Sequence, residues 1–556
     1  MKKALVTLLC GTMAAGLLAG CGSSSGSDAD SGDATTTTTA AAETADSSAT
    51  AAAGDTGLVD ENGYPTTQAA LDAIEERKSS GEYPTIVIGF MNFVGSPAGI
   101  DRISQKISEH TEETLGIDVQ LQIMDMASYA QNMNLMLASG EQVDLFNAVS
   151  IGFSPCVNKG YLYDMYEDDL FQNYGQGIAA VIPEQYLYAD EVSGSLYGFT
   201  SMKEMGQGLF GISIAQQYLD GIGYDYQSMY ENEGDEIIYT DAETITDIFR
   251  QLHEKYPDKN VFTSDKGTNV SQGIEVDAVG GDYFGALLDP VNSLTVEDMF
   301  TSQQYMDLCK QYYEWNQAGY ISKDALTDTT GTTPAVKAGS LMAYKTATKP
   351  GIKTQETNLC GEPVVIFQIG KNNFAASNTA NSMPWCINSQ TEDPVAAMQL
   401  LNALYTDPVL SNLICWGEEG VEYVKTDDGH ITFPDGVDAS NSEYYNNVNW
   451  EMPNQFIAEI WEGNDLDVWE KTATFNEQCD VSKAMGFIFD SSDVSAEYTA
   501  LTNVYTQYRD QLELGFEDPE TLIPEMEAAL KDAGLDTYMQ AKQDALNEWA
   551  KAQGIQ

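Results

Sequence analysis
Between Pro84 and Ser150 the apolar period of the chain switches back and forth, and this constrains the fold more than any other feature. Ile86-Val87-Ile88-Gly89-Phe90 is a short continuous apolar run, the pattern of a strand covered on both faces. Ile100, Ile103 and Ile107 follow at helical spacing up to Gly116, and Val119, Leu121 and Ile123 then alternate as a strand. Tyr129, Met133, Met136 and Leu137 mark a second helix that Gly140 ends, and Val143-Asp144-Leu145-Phe146 gives a third strand. Strand–helix–strand–helix–strand with short links predicts a parallel sheet covered by helices, so the fold class is α/β. Ligands of such sheets sit at the carboxyl ends of strands, which points to Asn92 to Gly95 and to Asn147 to Ser150.

The chain from Pro84 onward is too long for one core and implies two or more domains. Helical periods return at Ile245 to Leu252, Met306 to Trp315 and Pro394 to Tyr405, and Tyr538, Ala541, Ala545 and Trp549 share one face of a terminal helix. Asp427-Asp428-Gly429 between two strand-like pieces reads as a hairpin turn rather than a calcium loop.

Ahead of this body, Lys2 and Lys3 precede a mostly apolar or small segment ending in Leu18-Ala19-Gly20-Cys21. So short an apolar stretch behind a basic start is a signal peptide, residues 1–20, not a membrane span. Small residues directly before a cysteine form a bacterial lipobox, in which the Cys21 thiol carries a diacylglycerol after cleavage. Residues 21–83 then act as a tether, since Gly22 to Thr56 is Ser, Gly, Asp, Thr and Ala with no aromatic residue and too little apolar surface to fold. No later segment has 18 consecutive apolar residues, so the lipid is the expected membrane anchor.

The formal charge is −59, from 26 basic and 85 acidic residues. Such a body is repelled by nucleic acid and by anionic lipid heads, so neither is an expected partner. Cys156, Cys309, Cys360, Cys386, Cys415 and Cys479 are widely spaced and show no CxxC, and the sequence does not choose among their pairings or free thiols. His110, His253 and His430 lie in polar contexts expected to be exposed. Without HExxH, GxSxG or His/Cys metal spacing, no catalytic residue, metal or cofactor is assigned. Paired carboxylates, all that a glycosidase needs, remain open in so acidic a chain. Gly206-Gln207-Gly208-Leu209-Phe210-Gly211 spells GxGxxG, but polar residues precede it and a strand-like Ile212-Ser213-Ile214 follows. A dinucleotide site needs a strand before and a helix after, so the run reads as a loop and not as a nucleotide site.

The lipobox, Leu137-Ala138-Ser139-Gly140-Glu141 ahead of Asp144-Leu145-Phe146, and Gly160-Tyr161-Leu162 resemble extracellular solute-binding proteins of ABC importers. Within them, the resemblance is to the large Gram-positive lipoproteins of the sugar-binding group, family 1. Ser195-Leu196-Tyr197-Gly198 is similar to that group's Gly-Lys-Leu-Tyr-Gly segment, although Ser195 stands where Lys is common and Phe199-Thr200 replaces Ile-Pro. Gly319-Tyr320-Ile321-Ser322-Lys323-Asp324-Ala325 and Lys337-Ala338-Gly339-Ser340 match its mid-chain pattern. Gly417-Glu418-Glu419-Gly420 with Tyr423, Trp450 with Asn454, and Ala533-Gly534-Leu535-Asp536 before Glu548-Trp549 resemble its C-terminal extension.

The resemblance implies a two-lobed clamshell of the type II periplasmic-binding-protein kind, with hinge crossings and an α-rich C-terminal extension. Lobe one is then expected at 84–212 and 366–415, and lobe two at 213–365 and 416–556. The implied function is capture of an extracellular solute, foremost an oligosaccharide, by a lipid-anchored monomer on the outer face of a Gram-positive-type cytoplasmic membrane, for delivery to ABC permease subunits. The alternatives are a surface glycoside hydrolase or lyase, and a binder of peptides or other polar solutes on the same scaffold.

A sugar ring lies its C–H face on an aromatic ring and offers its hydroxyls to planar polar groups. Trp385 before a short apolar run, Trp450 in an Asn-rich irregular segment, Tyr344 beside Lys345, and Tyr197 are the candidate stacking residues, with Asn92 and Asn147 as polar partners. Beside each aromatic stands the plainer reading of a core residue, since most large aromatics pack. Trp315, Trp461, Trp469 and Trp549 lie on helical stripes and read as core.

Overall fold
The apolar run at Ile86 becomes the strand Thr85–Asn92, an interior strand of a five-stranded sheet, in a computed structural model that describes residues 57–555 except 93–96, 233, 329 and 447. The signal segment, Cys21, and the tether up to Thr56 lie outside the described residues, as does the loop Phe93–Ser96. Thr85–Asn92 pairs in parallel with Asp118–Asp125 on one side and Leu145–Asn147 on the other, as the period changes predict. Helices Ile100–Thr114 and Met126–Ser139 make the crossovers, the first burying Ile103 and Ile107. The Asp144 carboxylate fixes the register by accepting Val87 N–H at 2.8 Å and the Thr391 hydroxyl at 2.6 Å. Two distant strands complete this sheet: Pro384–Ile387 runs antiparallel to Leu145–Asn147 and then to Phe199–Thr200.

A seven-stranded mixed sheet forms the second lobe around Gln207–Ala215. That strand is antiparallel to Leu341–Thr348 and to Val364–Ile369, which in turn pair in parallel with Asn260–Thr263 and Ile237–Thr240. Helices Ala242–Lys255 and Gln303–Gln317 bring Phe249 and Trp315 onto Phe262. The C-terminal helices Ser495–Glu513, Pro519–Asp532 and Leu535–Ala552 bury Leu512, Met526 and Tyr538 in this same core, so the extension is part of the second lobe.

Four expected boundaries move. The tether does not reach residue 83, because helix Gln68–Ser80 docks on lobe one, where Gln399 donates to Ala70 O at 2.9 Å and Arg77 to Leu115 O at 3.1 Å. Those at 212/213 and 365/366 fall inside Gln207–Ala215 and Val364–Ile369, whose ladder bonds hold each strand whole in the second sheet. The first crossing is therefore the stretch between Thr200 and Gln207, and the second lies between Ala375 and Pro384. The stretch from Trp416 to Ala458, expected in lobe two, covers lobe one: Tyr423, Ile431, Tyr444 and Met452 join its core. Arg102 ties it to the first crossover helix through Glu418 at 3.1 Å and Glu422. The third crossing runs through helix Val468–Gln478. Asp427-Asp428-Gly429 does join a hairpin, Val424–Lys425 with Ile431–Thr432. All six cysteines of the body are buried free thiols.

Candidate functional site
The crossings meet in a small hinge built from all three. The Asn476 side chain of the third accepts Met205 N–H at 2.7 Å and donates to the Lys203 carbonyl at 2.7 Å, clamping the first. Phe475, Cys479 and Ala375 of the second and third crossings form a separate apolar cluster beside it. Glu204 pairs with Lys349 at 2.8 Å and lies 3.6 Å from Lys203. Burial alone would raise its carboxyl, but the two lysines outweigh this and bring it down to about 2. The ion pair thus links the first crossing to the end of a second-lobe strand.

On the first lobe the strand ends converge beside this hinge. Glu451 is fully buried, and its carboxylate accepts Met91 N–H at 3.0 Å while its backbone carbonyl accepts Trp385 Nε1–H at 2.8 Å. Burial pushes the Glu451 carboxyl well above the usual carboxylate range. Trp385 has no exposed surface and meets Phe90 edge-on at 5.0 Å, so the expectation of a stacking residue gives way to a core anchor. The reason is topological: Pro384–Ile387 lies inside the sheet, flanked on both edges. Asn92 and Asn147 are buried too and serve the chain itself. Asn92 donates to Asn446 Oδ1 at 3.1 Å, and Asn147 donates to Met383 O at 3.1 Å and accepts Val149 N–H at 2.9 Å.

Trp450 and Tyr197 differ from these. Both are only partly buried, and with Val149 and Ile488 they pack on the apolar cluster of Met91 and Phe146 at the strand ends. The structure thus brings together two of the expected aromatics, and Glu451 directly follows Trp450. Nothing in the sequence separates Glu451 or Glu204 from the many other acids. Only a fold that buries one and flanks the other with lysines reveals them.

In the second lobe Tyr344 is 2 % exposed, its hydroxyl bonded to Glu356 and 3.2 Å from Cys360 Sγ. Lys345 is buried with Nζ donating to Asn269 O at 2.7 Å, and burial pushes its ammonium down to about 7 against the pull of Glu513. The pair expected to face a ligand is therefore core, because Leu341–Thr348 is covered on both faces. The three histidines are partly buried rather than exposed. His110 bonds Asp407 at 2.6 Å, an interaction that raises its pKa. Of the tryptophans read as core, Trp315 is fully buried, while Trp461, Trp469 and Trp549 are partly so. Among the described residues no helix is long and apolar enough to cross a membrane.

Residues 483–551 match the family described as Domain of unknown function (DUF3502). Over 481 residues, 85 % of this chain and 91 % of the relative, the sequence is 23 % identical to a carbohydrate ABC transporter substrate-binding protein of Streptococcus pneumoniae serotype 4. The structure resembles the N-glycan transport solute binding protein NgtS of Streptococcus pneumoniae with a TM-score of 0.72 at 20 % identity, covering 84 % of this chain and 99 % of that one. Against the same protein in complex with Man1GlcNAc and Man5GlcNAc the scores are 0.62 and 0.59. An HMO-binding ABC-transporter-associated solute binding protein of Bifidobacterium longum infantis gives 0.53 at 16 % identity, covering 84 % and 99 %. The chain has the two-lobed α/β fold of the solute-binding proteins.

Proposed function
We propose that this chain, sharing its fold with sugar-binding proteins of ABC importers, captures an extracellular oligosaccharide between its lobes and hands it unaltered to a membrane permease. The observation that carries the reading is the pairing of a hinge of three crossing segments with two partly open aromatics, Trp450 and Tyr197, on the apolar cluster of the first lobe that holds Met91 and Phe146. Strand ends beside a crossing are where an α/β lobe meets its ligand, and aromatic rings are what a sugar face packs on. Relatives named for N-glycan and HMO binding support the solute class. The protein performs no chemistry on its solute, and Cys21 carries the lipid that holds it at the outer face of the membrane.

Calorimetric titration with N-glycan-type and milk-type oligosaccharides tests this. Trp450→Ala is expected to weaken binding by about 1–3 kcal/mol, the loss typical of an aromatic anchor, with melting little changed. Cleaved sugar after incubation, or binding of peptides in place of sugars, would refute the reading.

A further inference from the structure
The second lobe has no open aromatic where Tyr344 was expected, but it has one elsewhere. A cavity of about 510 Å³ opens on this lobe, within the ordinary size range of small-molecule sites, and every described residue lining it belongs to the second lobe. Phe210 lines it together with apolar Ile274, Leu288 and Ile369. The planar amides of Gln311 and Asn372 and the carboxylates of Glu275, Asp289 and Asp307 supply its polar part, and no Lys, Arg or His is among the described residues that line it.

Phe210 is held there against its own preference. Its φ is +56°, in the left-handed region, where a bulky residue is strained. The distortion coincides with a register shift opposite Thr346 and Thr348, and Phe210 N–H donates to Gln272 O at 2.6 Å. The glycines on either side are fixed by packing: a Cβ on Gly208 would strike Thr348 Oγ1, and one on Gly211 would strike Thr346 O. The glycine-rich run is thus a bulge that re-aims one ring, and strain kept at a bulge is a mark of sites rather than of plain strands. Lys345 Nζ lies 4.7 Å from the centre of that ring, and Trp315 and Tyr312 pack at 6.2 and 6.3 Å, so the ring is braced.

The cavity also lies close to the hinge. Phe210 is about 10 Å along the strand from Gln207, where the first crossing ends. Asn372 immediately precedes Asn373–Ala375, which leads into the second crossing. The cavity thus lies at the end of the second lobe that the first and second crossings reach.

We propose that the Phe210 cavity is a sugar subsite of the second lobe, stacking one pyranose ring, and that its carboxylates select uncharged glycans over uronic, sialic or sulfated ones. This rests on the oligosaccharide reading above. The stacking argument is that of any aromatic and planar-amide pocket. The selectivity argument is electrostatic: Glu275, Asp289 and Asp307 line the cavity and outnumber the one cation beside the ring, Lys345, so an anionic ring is repelled on balance. Crowding is already felt within the site, since burial and then the neighbouring Asp480 and Asp289 raise the Glu275 carboxyl.

The test is calorimetry on the full mature chain with a neutral tetrasaccharide, the disaccharide of the same series, and the tetrasaccharide oxidised to a terminal uronic acid. Phe210→Gly, which suits the backbone, and Asn372→Ala are each expected to weaken the tetrasaccharide by roughly 10-fold and to leave the disaccharide within about twofold, as loss of one anchoring contact does. The double variant Glu275→Gln/Asp289→Asn is expected to recover most of the affinity lost on oxidation. If Phe210→Gly does not fold, Gln311→Ala takes its place beside Asn372→Ala. Folded variants that bind the tetrasaccharide like wild type, or a wild type indifferent to oxidation, overturn the subsite while leaving the oligosaccharide reading intact. A wild type that binds no saccharide overturns both.

Discussion
Both lobes bury acids, but among the described residues only the second buries lysines. In the first, Glu451 and Asp190 are buried without a cation: Glu451 has a backbone N–H as its partner, and both carboxylate oxygens of Asp190 lack a hydrogen bond. In the second, Lys345 is held on the Asn269 carbonyl and Lys542 inside a ring of acceptors. Lys542 has no exposed side-chain surface and donates to the carbonyls of Ala278, Asp282 and Gly285 at 2.9–3.1 Å and to the Asp282 carboxylate at 3.1 Å. A lone buried acid stays protonated, whereas a lysine with four acceptors is a structural rivet. The second lobe is assembled from distant segments and needs such rivets. The sheet of the first starts from consecutive ones.

That contrast can be attacked at both ends. Lys542→Met should cost about 3–5 kcal/mol, because it takes the cation from Asp282 and the donor from three carbonyls, and denaturant unfolding should show the loss in the second lobe. Trp385→Ala in the first lobe should cost a similar ~3–5 kcal/mol through the cavity it leaves. Because its ring is core, its oligosaccharide affinity at a temperature where the variant is folded should stay within about twofold of wild type, unlike that of Trp450→Ala.

Between the lobes, Glu204→Gln should cost about 1–3 kcal/mol near neutral pH. The sign follows from a carboxyl held at about 2 in the folded chain. Its contribution is complete above the ordinary value of about 4.3 and disappears as pH falls toward 2, so the variant should lose that part of the acid dependence in melting experiments.

The smallest effect belongs to Asp190, whose carboxyl is raised by burial. A raised acid contributes stability below its unfolded pKa and loses it as pH rises through the folded value, so wild type should weaken toward alkaline pH. Asp190→Asn should flatten that slope by about 1 kcal/mol, read as a smaller fall in melting temperature between pH 6 and pH 9. An unchanged slope would remove the distinction between the lobes.

The same asymmetry decided what the sequence could reveal. Thr85 to Asn147 was legible because its three consecutive strands pair among themselves through Thr85–Asn92, so local period and topology carry the same information. Gln207–Ala215 bonds to strands beginning more than a hundred residues later, and nothing local marks such a strand as central. Only the family resemblance supplied the crossings, and it put them a few residues inside strands. The aromatics sort likewise. Trp450 stood out for its irregular, Asn-rich surroundings, and it stays partly open. Trp385 and Tyr344 lie on strands buried on both faces, which their continuous apolar runs Trp385-Cys386-Ile387 and Leu341-Met342-Ala343-Tyr344 already favour over an open cleft edge. Phe210 was hidden in a glycine pattern better known for phosphate binding, and only its backbone angle exposes it.

Capture by lobe closure is tested most directly by small-angle scattering of the mature chain with and without a saturating neutral oligosaccharide, followed by chromatography of the recovered sugar. A smaller radius of gyration on saturation, with the sugar returned intact, is the predicted result. An unchanged radius at full occupancy, or a shortened sugar, would contradict the account.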